Sequence, residues 1–546
     1  MQAMGTPTAS YVRRKPEQTL IYKLVRRHWP ELQHELLAAN DGQPLPKFLT
    51  NAVEGYGRCG ILKYGFCRLF CPDCKTDQLV AWSCKQRGIC ASCDGKRMTE
   101  LAAHLADSVI AEVPVRQWVL TVPMGLHELL AWNAEVRGHV LAAFMRALQA
   151  HYRRMGLAQG QQDPKFAAVS VLQRFSGSLK TYPHWHILAA DGAWQQADDG
   201  KMAFKPAPPL DEEQLHNVLT DAVARIRRQL DKHNKRRDDA DARDTFGESQ
   251  PALAALIRSS LGGKEIREQD PPPKPGQAKT APRTESKNCM SFAGFSLHAN
   301  TRVHECNREK LERLIRYVCR PTIAAERLED AGGGAVRILL KNEWKGRIKS
   351  IVISEREFVV RLLALVPLPR RPGLIYHGIW APAAKMRAKV VPAAGAMAMH
   401  RRKEKAKAKA CKAKAANDDA EKLTGGQVGQ QFEAPADERA VDGRMKWADA
   451  LRRAFHFDVL KCPCGGKRKL ISAIMDDTQV EKILRHVGLW RDDGSDDCDV
   501  VEIRGPPGGE LYPAEDELAP QFDCVDEPPL DEDWQPADDI DLDWAA

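Results

Sequence analysis

The sequence predicts a chain of mixed helices and strands with a small metal-binding domain near its start. Two observations carry this. Seven of the fifteen cysteines fall between Cys59 and Cys93. Beyond residue 100, short β-branched and aromatic runs alternate with amphipathic stretches. Hydrophobic residues make up 43% and charged residues 28% of the chain, enough for a sizeable core, which excludes a wholly disordered protein. The 546 residues are sufficient for about three or four ordinary domains.

Residues 1–54 read as a helical lead-in, with apolar positions at Leu20, Tyr22, Leu24, Val25, Trp29, Leu32 and Leu36. Residues 55–100 form the metal-binding domain. Cys71-Pro-Asp-Cys74 and Cys90-Ala-Ser-Cys93 are two C-x2-C pairs, each able to bring two thiolates to one ion. Their spacing fits a closed tetrahedral Zn2+ site with no open position, hence a structural one. A cytosolic chain does not use such a cluster for disulfides. Cys59, Cys67 and Cys84 are left over, and Cys84 is an alternative for one ligand. Cys462-Pro-Cys464 has no partner pair nearby in sequence and reads as a degenerate or structural turn, with zinc binding the lesser alternative.

Residues 101–366 form the principal domain. Val115–Val122, Ala167–Phe175, His184–Ala189, Phe292–Leu297, Val336–Leu340 and Ile348–Ile353 read as strands. Residues 126–155, Asp211–Leu230 and 307–319 read as helices. Ser354-Glu-Arg-Glu357 is a capping box opening one more, ending near Val366. Charged and Pro-rich runs mark 233–288 as a flexible insertion. Residues 367–444 read as an extended region containing a basic linker, Arg401–Lys414. Residues 445–490 read as a small helical module, and residues 491–546 as a disordered acidic tail.

Charge points to the partner. The tail holds 20 acidic residues against two arginines, a balance of −18. This leaves +26 on the first 490 residues of a chain whose net charge is +8. A body that basic suits a polyanion, most simply nucleic acid. No apolar run has the length of a membrane span. The first residues lack the apolar core of a secretory signal. The expected setting is the cytoplasm.

His184 and His186 lie two apart in a strand, so both rings leave one face while Trp185 leaves the other. That arrangement lets two imidazoles share a metal. Tyr317 lies on the helix 307–319, with Arg313 four residues before and Arg320 three after, on the same helical face. Their charge suits a phosphate and favours the phenolate. Without further context, the pair also fits ordinary polar sheet residues, and Tyr317 fits an interface residue.

Gln173-Arg-Phe-Ser-Gly-Ser-Leu-Lys-Thr-Tyr-Pro-His-Trp-His-Ile-Leu-Ala-Ala-Asp-Gly192 resembles the His-hydrophobic-His segment of rolling-circle transposases of the insertion-sequence-91 family, closest to their common-region branch. Ser83–Cys93 resembles that family's zinc-binding domain. Gly294–Asn300 and Leu314–Ala324 resemble its tyrosine region, and Tyr376–Lys385 and Trp447–Phe455 its C-terminal stretches. The resemblance implies an α+β fold: an HUH endonuclease domain, whose antiparallel sheet with flanking helices carries both histidines. It implies single-strand DNA cleavage and rejoining through a 5′-phosphotyrosine at Tyr317, assisted by Arg313 and Arg320. It also implies Mg2+ or Mn2+ on His184 and His186, with Gln173 as third ligand and His298 as runner-up. The partners implied are single-stranded element ends and target DNA, in a bacterial cytoplasm and associated with the nucleoid when bound. One branch of the family has two tyrosines four apart. Here Arg313 occupies the second position, so a single nucleophile is expected. The alternatives are a plasmid replication initiator or relaxase with the same chemistry, and a non-catalytic zinc-containing DNA-binding protein.

Overall fold

In chain order, the computed structural model begins with α1 (Leu20–Ala39), α2 (Lys47–Arg58), the hairpin β1 (Phe66–Phe70) and β2 (Asp77–Ala81), and α3 (Ala91–Ser108). The principal domain follows with β3 (Val115–Thr121), α4 (His127–Trp132), α5 (Ala134–Ala158), β4 (Ala167–Phe175), β5 (Thr181–Ala190), β6 (Gly192–Gln196), β7 (Met202–Pro206) and α6 (Glu212–Asp238). Next come α7 (Thr245–Ser249), α8 (Pro251–Gly262), β8 (Ile266–Gln269), β9 (Cys289–Phe292), β10 (Phe295–His298), β11 (Arg302–Val303) and α9 (Arg308–Val318). The last elements are β12 (Leu328–Gly332), β13 (Ala335–Trp344), β14 (Ile348–Ser354), α10 (Glu355–Ala364), β15 (Leu374–Gly378), α11 (Arg387–Val390), β16 (Lys469–Ile474) and α12 (Asp477–His486). The structure describes residues 13, 15–238, 245–262, 266–269, 288–344, 348–369, 372–391, 448, 451–452 and 458–490. The basic linker 401–414 and the acidic tail 491–546 lie outside them.

The fold is α+β and its sheets are antiparallel. The central sheet runs β15-β4-β5-β3-β10-β9, with β11 also on β3. Alternation along β5 explains its place in the middle. Trp185, Ile187 and Ala189 enter one core with Trp118, Phe144 of α5 and Val218 of α6. Leu188 and Ala190 enter the opposite core with Leu105 of α3 and Leu314 of α9. The sheet is therefore covered on both faces, which is why β5 is buried throughout. A second sheet, β12-β13-β14-β8, packs with α1, α8 and α10 around Ile338, Ile353, Leu256 and Phe358. Ser354 caps α10 as predicted, its Oγ accepting from the Glu357 N–H at 3.1 Å, while the Glu357 carboxylate accepts from Arg361 Nε at 2.8 Å instead of closing the reciprocal half of the box.

Three segments depart from the sequence reading. Within the predicted flexible insertion 233–288, α6 runs on to Asp238 and α8 is buried through Leu253, Leu256 and Ile257. Charge at the ends of this stretch masked an apolar run that begins with Pro251 at the first helical position, where proline is favoured. The single strand expected over Phe292–Leu297 is a hairpin, β9 and β10, turned at Ala293-Gly294 with positive φ at both. The C-terminal segment is not a free-standing helical module. Its strand β16 pairs with β1 and completes a three-stranded sheet in the metal-binding domain. No helix among the described residues is long and apolar enough to cross a membrane.

One buried charge network ties β3, β5 and β11 together. Asp191 accepts from Arg116 Nε and NH2 at 2.9 and 3.0 Å, from Arg302 Nε at 2.6 Å and from the Tyr152 hydroxyl at 3.2 Å. Asp191→Ala leaves the buried Arg116 guanidinium without its counter-charge and is expected to cost about 3–5 kcal/mol. Urea titration followed by tryptophan fluorescence checks this; a loss below about 1 kcal/mol would contradict it.

Candidate functional site

His184 and His186 share the face of β5 that looks toward α9, their ring centroids 5.0 Å apart. Both are buried. His184 Nδ1 lies 2.9 Å from the Tyr182 carbonyl. A carbonyl only accepts, so Nδ1 carries the proton and Nε2 presents a lone pair. Burial pushes the pKa of His184 down to about 4. It also pushes His186 well below the usual range, helped by the neighbouring charge of His184. Both rings are therefore neutral at pH 7, the form that binds metals.

Gln117 on β3 was not foreseen. Its Nε2 lies 2.7 Å from His186 Nδ1, which makes it the orienting partner of that ring. It comes from the neighbouring strand, on which Val119 pairs with His186. The only sequence signal is its place in a strand otherwise rich in apolar residues. Gln173 on β4 pairs in register with His184. Its Nε2 donates to the Val318 carbonyl at 2.8 Å and more weakly to that of Tyr317 at 3.4 Å. Gln173 thus clamps the end of the tyrosine helix to the sheet. Its Oε1, Gln117 Oε1 and His186 Nε2 are buried with no hydrogen-bond partner among the described residues. His298 on β10 is buried and lowers the pKa of His186. Two neutral imidazoles with an amide oxygen beside them are a donor set able to hold a divalent cation, the oxygen being its hard ligand.

Helix α9 brings Tyr317 to this face. Asn307 caps its start, accepting from the Lys310 N–H at 2.9 Å. Arg308 ties that end to α3 by donating to the carbonyls of Ile110 and Ala111 at 2.9 and 3.2 Å, and to that of Ala106. Leu311, Leu314, Ile315 and Val318 bury the inner face. The Tyr317 ring stands edge-on to His186, with centroids 6.1 Å apart and planes at 89°. The Arg320 guanidinium lies 5.1 Å over the Tyr317 ring and 5.4 Å over Phe175. Arg313 lies one helical turn before Tyr317.

The thiols are grouped differently from the sequence expectation. Cys71, Cys74, Cys90 and Cys93 do not meet at one point. Cys90 and Cys93 join Cys59 and Cys84, while Cys71 and Cys74 join Cys462 and Cys464. The hairpin explains the split. Cys59 precedes β1 and Cys84 follows β2, so both lie at its base, beside the start of α3 where Cys90 and Cys93 sit. Cys71 and Cys74 lie at its tip, five strand residues away at about 3.3 Å each. In the base cluster Cys59 Sγ is 3.6 and 3.7 Å from Cys90 and Cys93, and Cys84 is 3.5 Å from Cys93. The Cys84 N–H also points at Cys59 Sγ, at 3.3 Å. Cys67 belongs to neither group and packs in a small core with Leu69 and Val80.

A family model described as a transposase zinc-binding domain matches residues 24–122, and one described as a putative transposase matches residues 167–388. Together they take in more than half of the chain. No curated protein and no solved structure matches it. The zinc-binding match spans the whole base cluster, which supports Zn2+ as a cofactor. The transposase match spans both histidines and Tyr317, and it implies DNA as the partner of a DNA-cleaving protein. The zinc-binding domain and the transposase domain occur in the order and places that the cysteine and histidine motifs occupy, and the chain belongs to the transposases of the insertion-sequence-91 type.

Proposed function

We propose that this chain moves its element by rolling-circle transposition, cleaving and rejoining single-stranded DNA through a 5′-phosphotyrosine on Tyr317. The observation that carries this reading is the meeting of Tyr317 with the histidine pair, with Arg320 against its ring. The Tyr317 phenol oxygen attacks phosphorus, the bond to the 3′-oxygen breaks, and the phenol proton is lost as the departing oxygen gains one. The energy of the broken phosphodiester is kept in the new ester, so a 3′-hydroxyl reverses the step without ATP. Arg320, with Arg313 one turn back, holds negative charge as it builds on the phosphate.

His184, His186 and the amide oxygen of Gln173 would hold Mg2+ or Mn2+. Such an ion, when bound, polarises the scissile phosphate. With the Gln117 amide rotated so that its oxygen accepts from the Nδ1–H of His186, the lone pair of that ring's Nε2 would face the ion. The base cluster, Cys59, Cys84, Cys90 and Cys93, holds a structural zinc that fixes α2 and α3 beside the hairpin.

The test uses purified protein, labelled single strands from the ends of the element, and Mg2+ or Mn2+. The expected result is a metal-dependent covalent adduct on a denaturing gel, whose nucleotide-bearing peptide contains Tyr317. An adduct on another residue, or none with any end sequence, overturns the reading.

A further inference from the structure

The hairpin-tip thiols have partners from the far end of the chain. Cys74 and Cys462 are 388 residues apart in sequence, yet their sulfurs lie 3.5 Å from each other. Cys71 and Cys464 lie 3.6 Å apart, and all four sulfurs fall within 4.8 Å of one another. A tetrahedral zinc with Zn–S bonds of about 2.3 Å needs sulfurs about 3.8 Å apart. A disulfide needs about 2.05 Å. The spacing fits the ion and not the bond.

The two turns that present these thiols are built alike. In the first, the Cys71 N–H donates to the Thr76 carbonyl at 2.9 Å and the Lys75 N–H to that of Cys71 at 3.0 Å. In the second, the Cys462 N–H donates to the Gly466 carbonyl at 2.9 Å and the Gly465 N–H to that of Cys462 at 2.9 Å. Each turn has one residue of positive φ, Lys75 at 60° and Gly465 at 92°. They face each other closely enough that a Cβ on Gly466 would stand 2.0 Å from Asp73 Oδ2 and 3.1 Å from Cys71 Sγ. A side chain there would require the Asp73 carboxylate to swing away and Cys71 Sγ to give by a few tenths of an ångström.

We propose that Cys71, Cys74, Cys462 and Cys464 bind a second structural zinc, separate from that of the base cluster, and that this ion clasps the C-terminal segment onto the N-terminal domain. The geometry supplies four ligands in two matched turns, the arrangement of a closed zinc site. Four thiolates gathered this closely repel one another unless a cation sits among them. Among the described residues the joint also includes β16 on β1, the Trp82 indole N–H donating to the Ile474 carbonyl at 3.0 Å, a core of Leu62 and Phe66 with Val480 and Leu484, and another of Leu69 and Val80 with Leu451 and Val459. An ion that closes a loop of nearly 400 residues adds to these contacts. The clasp is independent of the identity of the nucleophile.

Full-length protein freed of loose metal is expected to carry two zinc ions per chain by native mass spectrometry, and Cys462→Ser/Cys464→Ser one. Trypsin cuts readily in a run such as Arg401–Lys414. In nicked wild-type protein the fragment beginning after that run should co-elute with the N-terminal body, leave it on chelation, and return with Zn2+. This second measurement needs no substitution, so it stands if the variant does not fold. One zinc in the wild type, two in the variant, a mass four hydrogens light in place of an ion, or a nicked complex that survives full loss of zinc would each overturn the clasp.

Discussion

Tyr317→Phe is expected to abolish the covalent adduct completely while leaving metal and single-strand DNA binding within about twofold of the wild type. The substitution removes one oxygen. The phenyl ring keeps its edge contact with His186 and its place under Arg320, and the inner face of α9 is untouched. Stability should therefore change by less than about 1 kcal/mol. No other hydroxyl on α9 stands in for it, because the position four residues before is Arg313. His186→Ala serves as the contrast. It should weaken metal binding and reduce cleavage by about 10³-fold or more, the several kcal/mol that charge stabilisation by a bound ion supplies. A Tyr317→Phe protein that still forms adduct would move the nucleophile elsewhere. A His186→Ala protein with unchanged metal dependence would separate the histidine pair from the chemistry. Gel analysis of adduct against metal concentration distinguishes these results.

The second large effect is expected at the base cluster. Cys90→Ser should lower the apparent melting temperature by roughly 10 °C or more. Structural zinc contributes about 10–16 kcal/mol in small finger domains, where it supplies most of the folding energy. Here Cys59, Cys90 and Cys93 also sit in a core with Leu49, Val53, Leu365 and Val366, which tempers the loss but spreads it. The loop that leads to Cys90 lies close to the chain just after α10: a Cβ on Gly88 would meet Pro367 at 3.0 Å and the Val366 backbone at 3.1 Å. Release of the ion therefore disturbs the second sheet as well as α3. Calorimetry of Cys90→Ser beside Cys67→Ser checks this. Cys67 is outside both clusters, so its substitution should leave the zinc content unchanged.

What could be read from the chain was whatever depends on local backbone geometry. A strand has a side-chain period of two, so His184 and His186 had to share a face opposite Trp185, and they do. Tyr317 and Arg320 lie three residues apart; α9 stops at Val318, and the turn that ends it, with the Arg320 N–H donating to the Tyr317 carbonyl at 3.3 Å, keeps the guanidinium over the ring. Ser354 caps its helix because the cap lies three residues from its partner.

Contacts between distant segments were settled only in the tertiary structure. Gln117 meets His186 because β3 and β5 are adjacent in the sheet, and strand order is a product of core packing on both faces. Gln173 was singled out from its strand, but its grip on the end of α9 depends on how that helix docks. The cysteines show the distinction most sharply. Spacing keeps Cys71 beside Cys74 and Cys90 beside Cys93, because each pair lies on one tight turn. It cannot say which other thiols meet each pair. That depends on a hairpin that carries Cys71 and Cys74 away from Cys90 and Cys93, and on a C-terminal strand that returns across the chain to place Cys462 and Cys464 beside them. Local periodicity comes from the covalent backbone alone, whereas ligand sets are assembled by burial of apolar surface between elements far apart in sequence.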